Sequence, residues 1–185
     1  MSNLSRRSFA LGALATGSLA ACGNGIGGSG AAQIDARVDS TLNYMFTNYP
    51  GTRDLATRAS GMLVMPLITE AGLGLGGSYG RGALLVGQSK VDYYTATGIS
   101  GGLQIGGQQY SHVLFFMTQD ALLNFRRADG WAAGADLEYA LNDKGEVLRA
   151  ETTTSLAPVL AVVFAQAGFR VGATLEGIKY TRIIP

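Results

Sequence analysis

The stretch that decides the fold is Ala71-Gly72-Leu73-Gly74-Leu75-Gly76-Gly77-Ser78-Tyr79-Gly80. It belongs to a part of the chain in which short apolar runs are typical of strands, and its leucines lie between closely spaced glycines. Glycine inside a strand marks a bend, a bulge or a close approach of two backbones. Twenty of the 27 glycines fall in residues 31–185, which is about twice the usual frequency. This pattern predicts a tightly curved sheet.

Short apolar runs on both sides of this stretch predict further strands. One buried strand covers residues 62–65 and is expected to end at Pro66. A turn signal, Asn142-Asp143-Lys144-Gly145, predicts a hairpin. The other predicted strands are residues 83–86, 91–97, 102–106, 110–117, 131–140, 159–165, 169–175 and 178–183.

Helices are predicted before the strands and once between them. The first covers residues 34–49, where apolar residues recur at helical spacing until Pro50-Gly51 stops the pattern. Residues 52–60 predict a second short helix, with Leu55 and Ala59 directed inward.

The helix between the strands follows Thr118, a good N-cap, and ends before Gly130. Asp120 and the pair Arg126 and Arg127 suit the two ends of its dipole. Its apolar face is assigned to Leu122, Leu123 and Phe125. The fold class is therefore α+β, with a mainly antiparallel, strongly curved or barrel-like sheet, N-terminal helices and one inserted helix.

The N-terminus reads as a targeting segment over residues 1–21. Ser5-Arg6-Arg7-Ser8-Phe9 resembles a twin-arginine export signal, although the general export route stays open. The apolar run that follows, residues 9–21, is 13 residues long. A membrane-spanning helix needs about 20 apolar residues, so this run suits a signal peptide.

Leu19-Ala20-Ala21-Cys22 resembles the lipobox of bacterial lipoproteins, in which the cysteine is acylated and becomes the first residue. Cys22 is the only cysteine, so it cannot form an internal disulfide. Two or more acyl chains hold a protein firmly on a bilayer. Residues 22–32 are predicted to be a lipidated cysteine followed by a flexible glycine-rich tether, and residues 33–185 a single domain. The expected location is the bacterial envelope, on the periplasmic face of the outer membrane, because Gly23 replaces the aspartate that often retains lipoproteins in the inner membrane.

The charge balance of the chain argues against a function that requires a strongly basic domain. Cleavage after residue 21 would remove Arg6 and Arg7 and leave 12 bases against 13 acids. A domain with this net charge has no strong overall field to attract nucleic acid or acidic lipid. We therefore expect no nucleic-acid partner.

Two enzyme-like motifs are present but lack their structural context. Gly72-x-Gly74-x-x-Gly77 matches a dinucleotide fingerprint, yet the glycine-rich segment after it does not favour the required helix. Gly98-Ile99-Ser100-Gly101-Gly102 matches a hydrolase elbow. A triad would need His112, the only histidine, which we interpret as a structural residue. No cofactor, no metal site and no catalytic residue is predicted.

Several glycine-spaced blocks, in this order, resemble the SYLF domain family over roughly residues 33–185. The blocks are residues 71–80, Gly102-Leu103-Gln104-Ile105-Gly106, Leu114-Phe115-Phe116-Met117-Thr118, Phe125-Arg126, Asp129-Gly130-Trp131 with Gly134, Val163-Phe164-Ala165-Gln166-Ala167-Gly168, Leu175-Glu176-Gly177, Lys179 and Thr181-Arg182. Within that family the chain is most similar to the bacterial lipoprotein branch.

The resemblance implies a lipid-binding module. Eukaryotic members bind phosphoinositides and some fungal members bundle actin; the actin role is not carried over, because a bacterial envelope offers no such partner. Family members that bind lipid are thought to use an N-terminal amphipathic helix and basic residues. Here the first helix has Asp35 and Asp39 against Arg37, whereas an interfacial helix favours a cationic polar face. We therefore expect this helix to pack on the sheet.

Basic residues elsewhere could still form a headgroup site. Arginines outnumber lysines 11 to 3, which suits bidentate contacts to phosphate. The candidates are Arg81, Arg127, Lys179 and Arg182. The sequence thus predicts a non-enzymatic, lipid-anchored protein whose domain binds anionic, phosphoinositide-like headgroups. The alternative is a structural or protein-interaction lipoprotein without a small ligand.

Overall fold

The computed structural model describes residues 29–134, 137–139, 157–164, 175 and 177–185. The elements run in the order α1 (Ser29–Asn48), α2 (Thr52–Arg58), β1 (Gly61–Val86), β2 (Ser89–Phe116), α3 (Gln119–Arg127), β3 (Trp131–Ala132), β4 (Leu137–Tyr139), β5 (Val159–Phe164) and β6 (Lys179–Ile183).

One long hairpin dominates the fold. Strand β1 pairs antiparallel with β2 from Gly61↔Phe116 to Val86↔Ser89, and the turn contains Gly87 with φ +60°. The short strands predicted over 62–116 are therefore segments of two continuous strands. The prediction that Pro66 ends a strand was wrong, because Pro66 lies at a register shift between Met65 and Ile68. A bulge accommodates a residue that has no N–H to donate to the ladder.

The other edge of β2 holds two more strands. Residues 111–116 pair with β5 and residues 93–97 pair with β6, both antiparallel. Strand β3 extends the sheet beyond β6, and β4 lies parallel to β5. The predicted α+β class with a mainly antiparallel, strongly curved sheet is confirmed; the β4–β5 pair is the parallel exception.

The curvature brings the two ends of β1 against each other. We call these ends, residues 61–68 and 80–86, the arms of β1. A Cβ atom added at Gly82 would collide with the carbonyl oxygen of Val64, and one added at Gly80 would collide with that of Leu67. Alternate residues of both arms enter the two hydrophobic cores, so each arm contributes to both. Glycine permits this close approach because it has no side chain.

Helix α1 covers one face of the sheet and forms the second core with it. Ile34, Val38 and Met45 are buried at helical spacing, as the sequence predicts. The helix begins at Ser29, so residues 29–32 belong to it and not to the predicted tether. A Cβ at Gly30 would lie 3.1 Å from the carbonyl carbon of Pro185. A side chain at this position would therefore require the backbone of Pro185 to shift by a few tenths of an ångström.

Helix α3 covers the opposite face and confirms the predicted inserted helix. Thr118 accepts a hydrogen bond from the amide of Ala121, and Leu122 and Phe125 are buried. Leu123, predicted to share the apolar face, is instead 39% exposed, because it points about 100° away from Leu122 around the helix.

The remaining predictions have mixed outcomes. The predicted strands 159–165 and 178–183 correspond to β5 and β6, whereas the predicted strand 131–140 is divided into β3 and β4. Helix α2 fits the predicted short helix. The predicted turn at 142–145 lies outside the described residues, as does nearly all of the strand predicted over 169–175.

None of the described helices is both long enough and apolar enough to cross a membrane.

Replacing Gly82 should test the close approach within β1. We expect Gly82→Ala to lower the free energy of unfolding by about 1–3 kcal/mol, because the new methyl group overpacks the backbone at Val64. Urea unfolding would measure this change. Gly134→Ala is the control, since its Cβ would meet nothing within 4 Å. Equal losses in the two variants would contradict the steric explanation.

Candidate functional site

The register of three strands places a polar face beside α1. Arg81 pairs with Thr95, which pairs with Thr181 on β6; Tyr79 pairs with Thr97, which pairs with Lys179. Directly paired residues point to the same side of a sheet, and so do residues two apart along a strand. These two rows therefore lie on one side, which we call the basic face: Tyr79, Arg81, Thr95, Thr97, Lys179 and Thr181.

Helix α1 covers the adjoining part of this side of the sheet. The hydroxyl of Tyr93 donates to Asp35 at 3.1 Å, and Lys90 forms an ion pair with Asp39 at 2.7 Å. The two acids of α1 therefore hold the helix on the sheet. This agrees with the expected packing role of α1.

A pocket of about 230 Å³ lies where the basic face meets the N-terminal half of α1. Arg37 of α1 and Arg81 of β1 both line it, and no carboxylate is among its described lining residues. The Nε of Arg81 donates to the hydroxyl of Tyr79 at 2.7 Å. This bond orients the guanidinium, and the two terminal nitrogens of Arg81 have no hydrogen bond within the described part of the chain. The lining residues are Gly30, Gln33, Ile34, Arg37, Pro66, Leu67, Thr69, Tyr79, Gly80 and Arg81.

Lys179, another predicted headgroup residue, lies on the same face as Arg81. One strand, β2, lies between theirs, so two interstrand spacings and a two-residue offset place their backbones roughly 10–12 Å apart. Lys179 also passes close to Gly130, where an added Cβ would collide with its Cε. The structure thus brings two of the four predicted cations to one face.

Arg127 and Arg182, the other two, lie on the opposite side with α3. Arg182 donates to the carbonyl of Arg126 at 3.1 Å and lies 3.4 Å from Asp92. Asp92 also pairs with Arg126 at 3.0 Å. Arg182 therefore joins β6 to the C-terminal end of α3, and Arg127 is exposed in the last turn of that helix.

The sequence interpretation missed two parts of the pocket. Arg37 was considered only as the single base of the first helix, and Tyr79 only as part of a glycine-rich block. The strand period offers a signal for the second, because Tyr79 and Arg81 are two residues apart and must share a face. No comparable signal places Arg37 beside them.

The dinucleotide-like and hydrolase-like motifs do not lie at the strand-to-helix junctions that these functions require. Residues 72–77 lie wholly inside β1, with strand on both sides, so the preferred interpretation as a bent strand is confirmed. Ser100 lies within β2, and the strand continues after it to Phe116 with no helix directly following the serine. Among the described residues, no three potential metal-ligating side chains come together.

His112 is a core residue. Its side chain is fully buried, its Nε2 lies 2.8 Å from the hydroxyl of Tyr180, and its Nδ1 has no hydrogen-bond partner among the described residues. Burial lowers the pKa of His112 from 6.5 to about 3. The ring therefore stays neutral near pH 7 and has no exposed nitrogen with which to act on a ligand.

The architecture is that of an α+β domain whose curved sheet carries α1 and α2 on one face and α3 on the other. The family model of Ysc84, described as a Las17-binding protein actin regulator, matches residues 97–182. Residues 97–182 therefore match the Ysc84 (SYLF) family, a family of lipid-binding and actin-regulating domains, which confirms the resemblance seen in the sequence. Comparison with curated proteins finds no match. Cys22 lies outside the described residues.

The buried histidine predicts a pH dependence of stability. Since the folded pKa of about 3 lies below the unfolded value of 6.5, the unfolded chain takes up the proton first as pH falls. Stability should be unaffected by this group above pH 6.5 and decline below it. Between pH 7.5 and 5, the free energy of unfolding should fall about 2 kcal/mol more in the wild type than in His112→Gln.

Urea unfolding of both proteins across this pH range would measure the difference, with the carboxylates common to both serving as the internal reference. Parallel pH curves would show that His112 is not buried in its neutral form.

Proposed function

We propose that this protein is a lipid-anchored component of the bacterial envelope, and that its domain binds the headgroup of an anionic phospholipid between Arg37 and Arg81. One observation carries the proposal. Two arginines from different elements line a single pocket in which the described residues include no acid. The proposed role is binding, without catalysis.

Phosphate is the group that this arrangement suits best. A guanidinium donates two parallel hydrogen bonds to phosphate oxygens, and such charge-assisted bonds are stronger than neutral ones. Arg81 is already oriented by Tyr79, so less conformational freedom is lost on binding. Lys179 adds a positive charge on the same face, whereas Arg127 and Arg182 are not part of the proposed site.

The size of the pocket limits what enters it. A volume of about 230 Å³ is below the usual 300–1,000 Å³ range of pockets that enclose drug-sized ligands. It suits a headgroup phosphate and its nearest substituents, while the acyl chains stay in the bilayer. A phosphoinositide-like phosphomonoester offers more charge to the arginines than a phosphodiester does.

The proposed anchor would keep the pocket near its ligand. Cys22 is seven residues before Ser29, so the connecting chain spans at most roughly 25 Å. Gly30 itself lines the pocket. An acylated Cys22 would thus hold the site at high effective concentration beside the bilayer, and modest intrinsic affinity would be sufficient. The proposed location is the periplasmic face of the outer membrane.

Vesicle binding tests the headgroup site. The full chain with Cys22→Ser would be sedimented with phosphatidylcholine vesicles alone, or with added phosphatidylglycerol, phosphatidic acid or phosphorylated phosphatidylinositol. Two basic residues near a membrane contribute about 1 kcal/mol each. We therefore expect Arg37→Gln/Arg81→Gln to weaken binding to anionic vesicles by about 10- to 30-fold. Added salt should weaken the parent chain in the same direction.

Arg58→Gln/Arg127→Gln is the matched control, because it removes the same charge from exposed arginines of α2 and α3. It should bind nearly as the parent chain does. An equal loss in both double variants would indicate nonspecific attraction, and binding to none of the vesicles would favour the protein-interaction alternative.

The anchor has its own test. Intact mass spectrometry of the membrane-extracted protein should show a chain that begins at Cys22 and carries diacylglyceryl and N-acyl groups. Cys22→Ser should abolish the acyl mass and release the protein from the membrane fraction. A mature protein with an unmodified thiol at Cys22 would refute the proposed anchor.

A further inference from the structure

The most exposed large apolar side chain among the described residues continues the basic face. Ile99 is 81% exposed and pairs with Gly77, two residues before Tyr79 on β1. The register is unbroken from Leu75↔Gly101 to Leu84↔Asp92. Arg81, Tyr79 and the pair Gly77–Ile99 therefore lie in this order along one side of the hairpin.

The spacing of this row follows from strand geometry. Each step of two residues advances about 6.5–7 Å, so Ile99 lies roughly 13 Å beyond Arg81 with Tyr79 between them. The tyrosine hydroxyl accepts a hydrogen bond from Arg81, so its polar end is directed toward the arginine. Polarity thus decreases steadily along the row, from a guanidinium to an aromatic ring with one hydroxyl to an aliphatic side chain.

This order matches the depth profile of a bilayer surface. Arginine suits the level of the phosphates, tyrosine is enriched at the boundary between headgroups and acyl chains, and an aliphatic side chain is favoured below it. Resting on the proposed headgroup site, we propose that Ile99 inserts into the acyl region of the bilayer while Arg81 holds a headgroup phosphate.

The local surroundings of Ile99 favour a lipid surface over a protein partner. Its cross-strand neighbour Gly77 has no side chain, and the flanking Thr97 and Tyr79 both carry hydroxyl groups, so among the described residues of this side Ile99 is an isolated aliphatic side chain. A stable protein interface requires about 800 Å² on each partner with a contiguous apolar centre. A single projecting side chain needs only space between lipids, and the nearby Arg37, Arg81 and Lys179 complement an anionic surface.

Substitution of Ile99 separates insertion from headgroup recognition. In the full chain with Cys22→Ser, Ile99→Ser should weaken binding to the anionic vesicles by about tenfold, because an apolar side chain no longer leaves water. Its affinity for a water-soluble headgroup, such as inositol phosphate, should be unchanged. Leu123→Ser is the control, since Leu123 is 39% exposed on α3, which covers the opposite face of the sheet. It should bind vesicles as the parent chain does.

A fluorescent probe measures depth directly. Cys22 is the only cysteine, so Ile99→Cys in the Cys22→Ser chain gives one labelling site for an environment-sensitive nitrobenzoxadiazole dye. On anionic vesicles its emission should shift to the blue and be quenched by lipids with a nitroxide on the upper acyl chain. The same dye at Leu123→Cys should show neither change.

The outcomes distinguish the two proposals. Vesicle binding that Arg37→Gln/Arg81→Gln weakens but Ile99→Ser leaves unchanged, with the dye at position 99 still in water, overturns insertion and leaves the headgroup site standing. A parent chain that binds no vesicles overturns the headgroup site and the insertion together. Loss of soluble-headgroup binding in Ile99→Ser would show that Ile99 supports the pocket and would also overturn insertion.

Discussion

The structure depends on one steric constraint, the close approach of the two arms of β1. Gly80 and Gly82 lie against the backbone at Leu67 and Val64, where a methyl group would collide with a carbonyl oxygen. Because the arms approach so closely, residues 66–69 and 79–81 come to border the same pocket. The glycines that curve the sheet therefore also create the concave surface on which the proposed headgroup site lies.

Separation of the cations onto two sides of the sheet gives them different roles. On the side of α3, Asp92 forms ion pairs with both Arg126 and Arg182, and these residues join the helix to β6. On the side of α1, the described acids Asp35 and Asp39 contact Tyr93 and Lys90. Neither acid lines the pocket that contains Arg37 and Arg81. A nearly neutral domain thus presents one locally basic face, which a net charge cannot reveal.

Local signals in the sequence predicted the elements that local interactions determine. Thr118 and Gly130 bound α3 as expected, and the apolar period of α1 matches its buried face. The continuity of β1 through Pro66 was not predictable, because it requires a partner strand that absorbs the bulge. Similarly, Arg81 and Lys179 share a face only through β2, and Asp92 meets Arg182 across 90 residues of chain. Such long-range pairings have no local signature.

The position of β6 in the sheet has a consequence for the order of folding. The β1–β2 hairpin connects residues that are near in sequence around its turn, whereas Thr95 must find Thr181, 86 residues away. Contacts of such separation close large loops and form late. Lys179 and Thr181 therefore join the basic face only after the C-terminal end of the chain has paired with β2. The complete face is thus among the last surfaces of the domain to assemble.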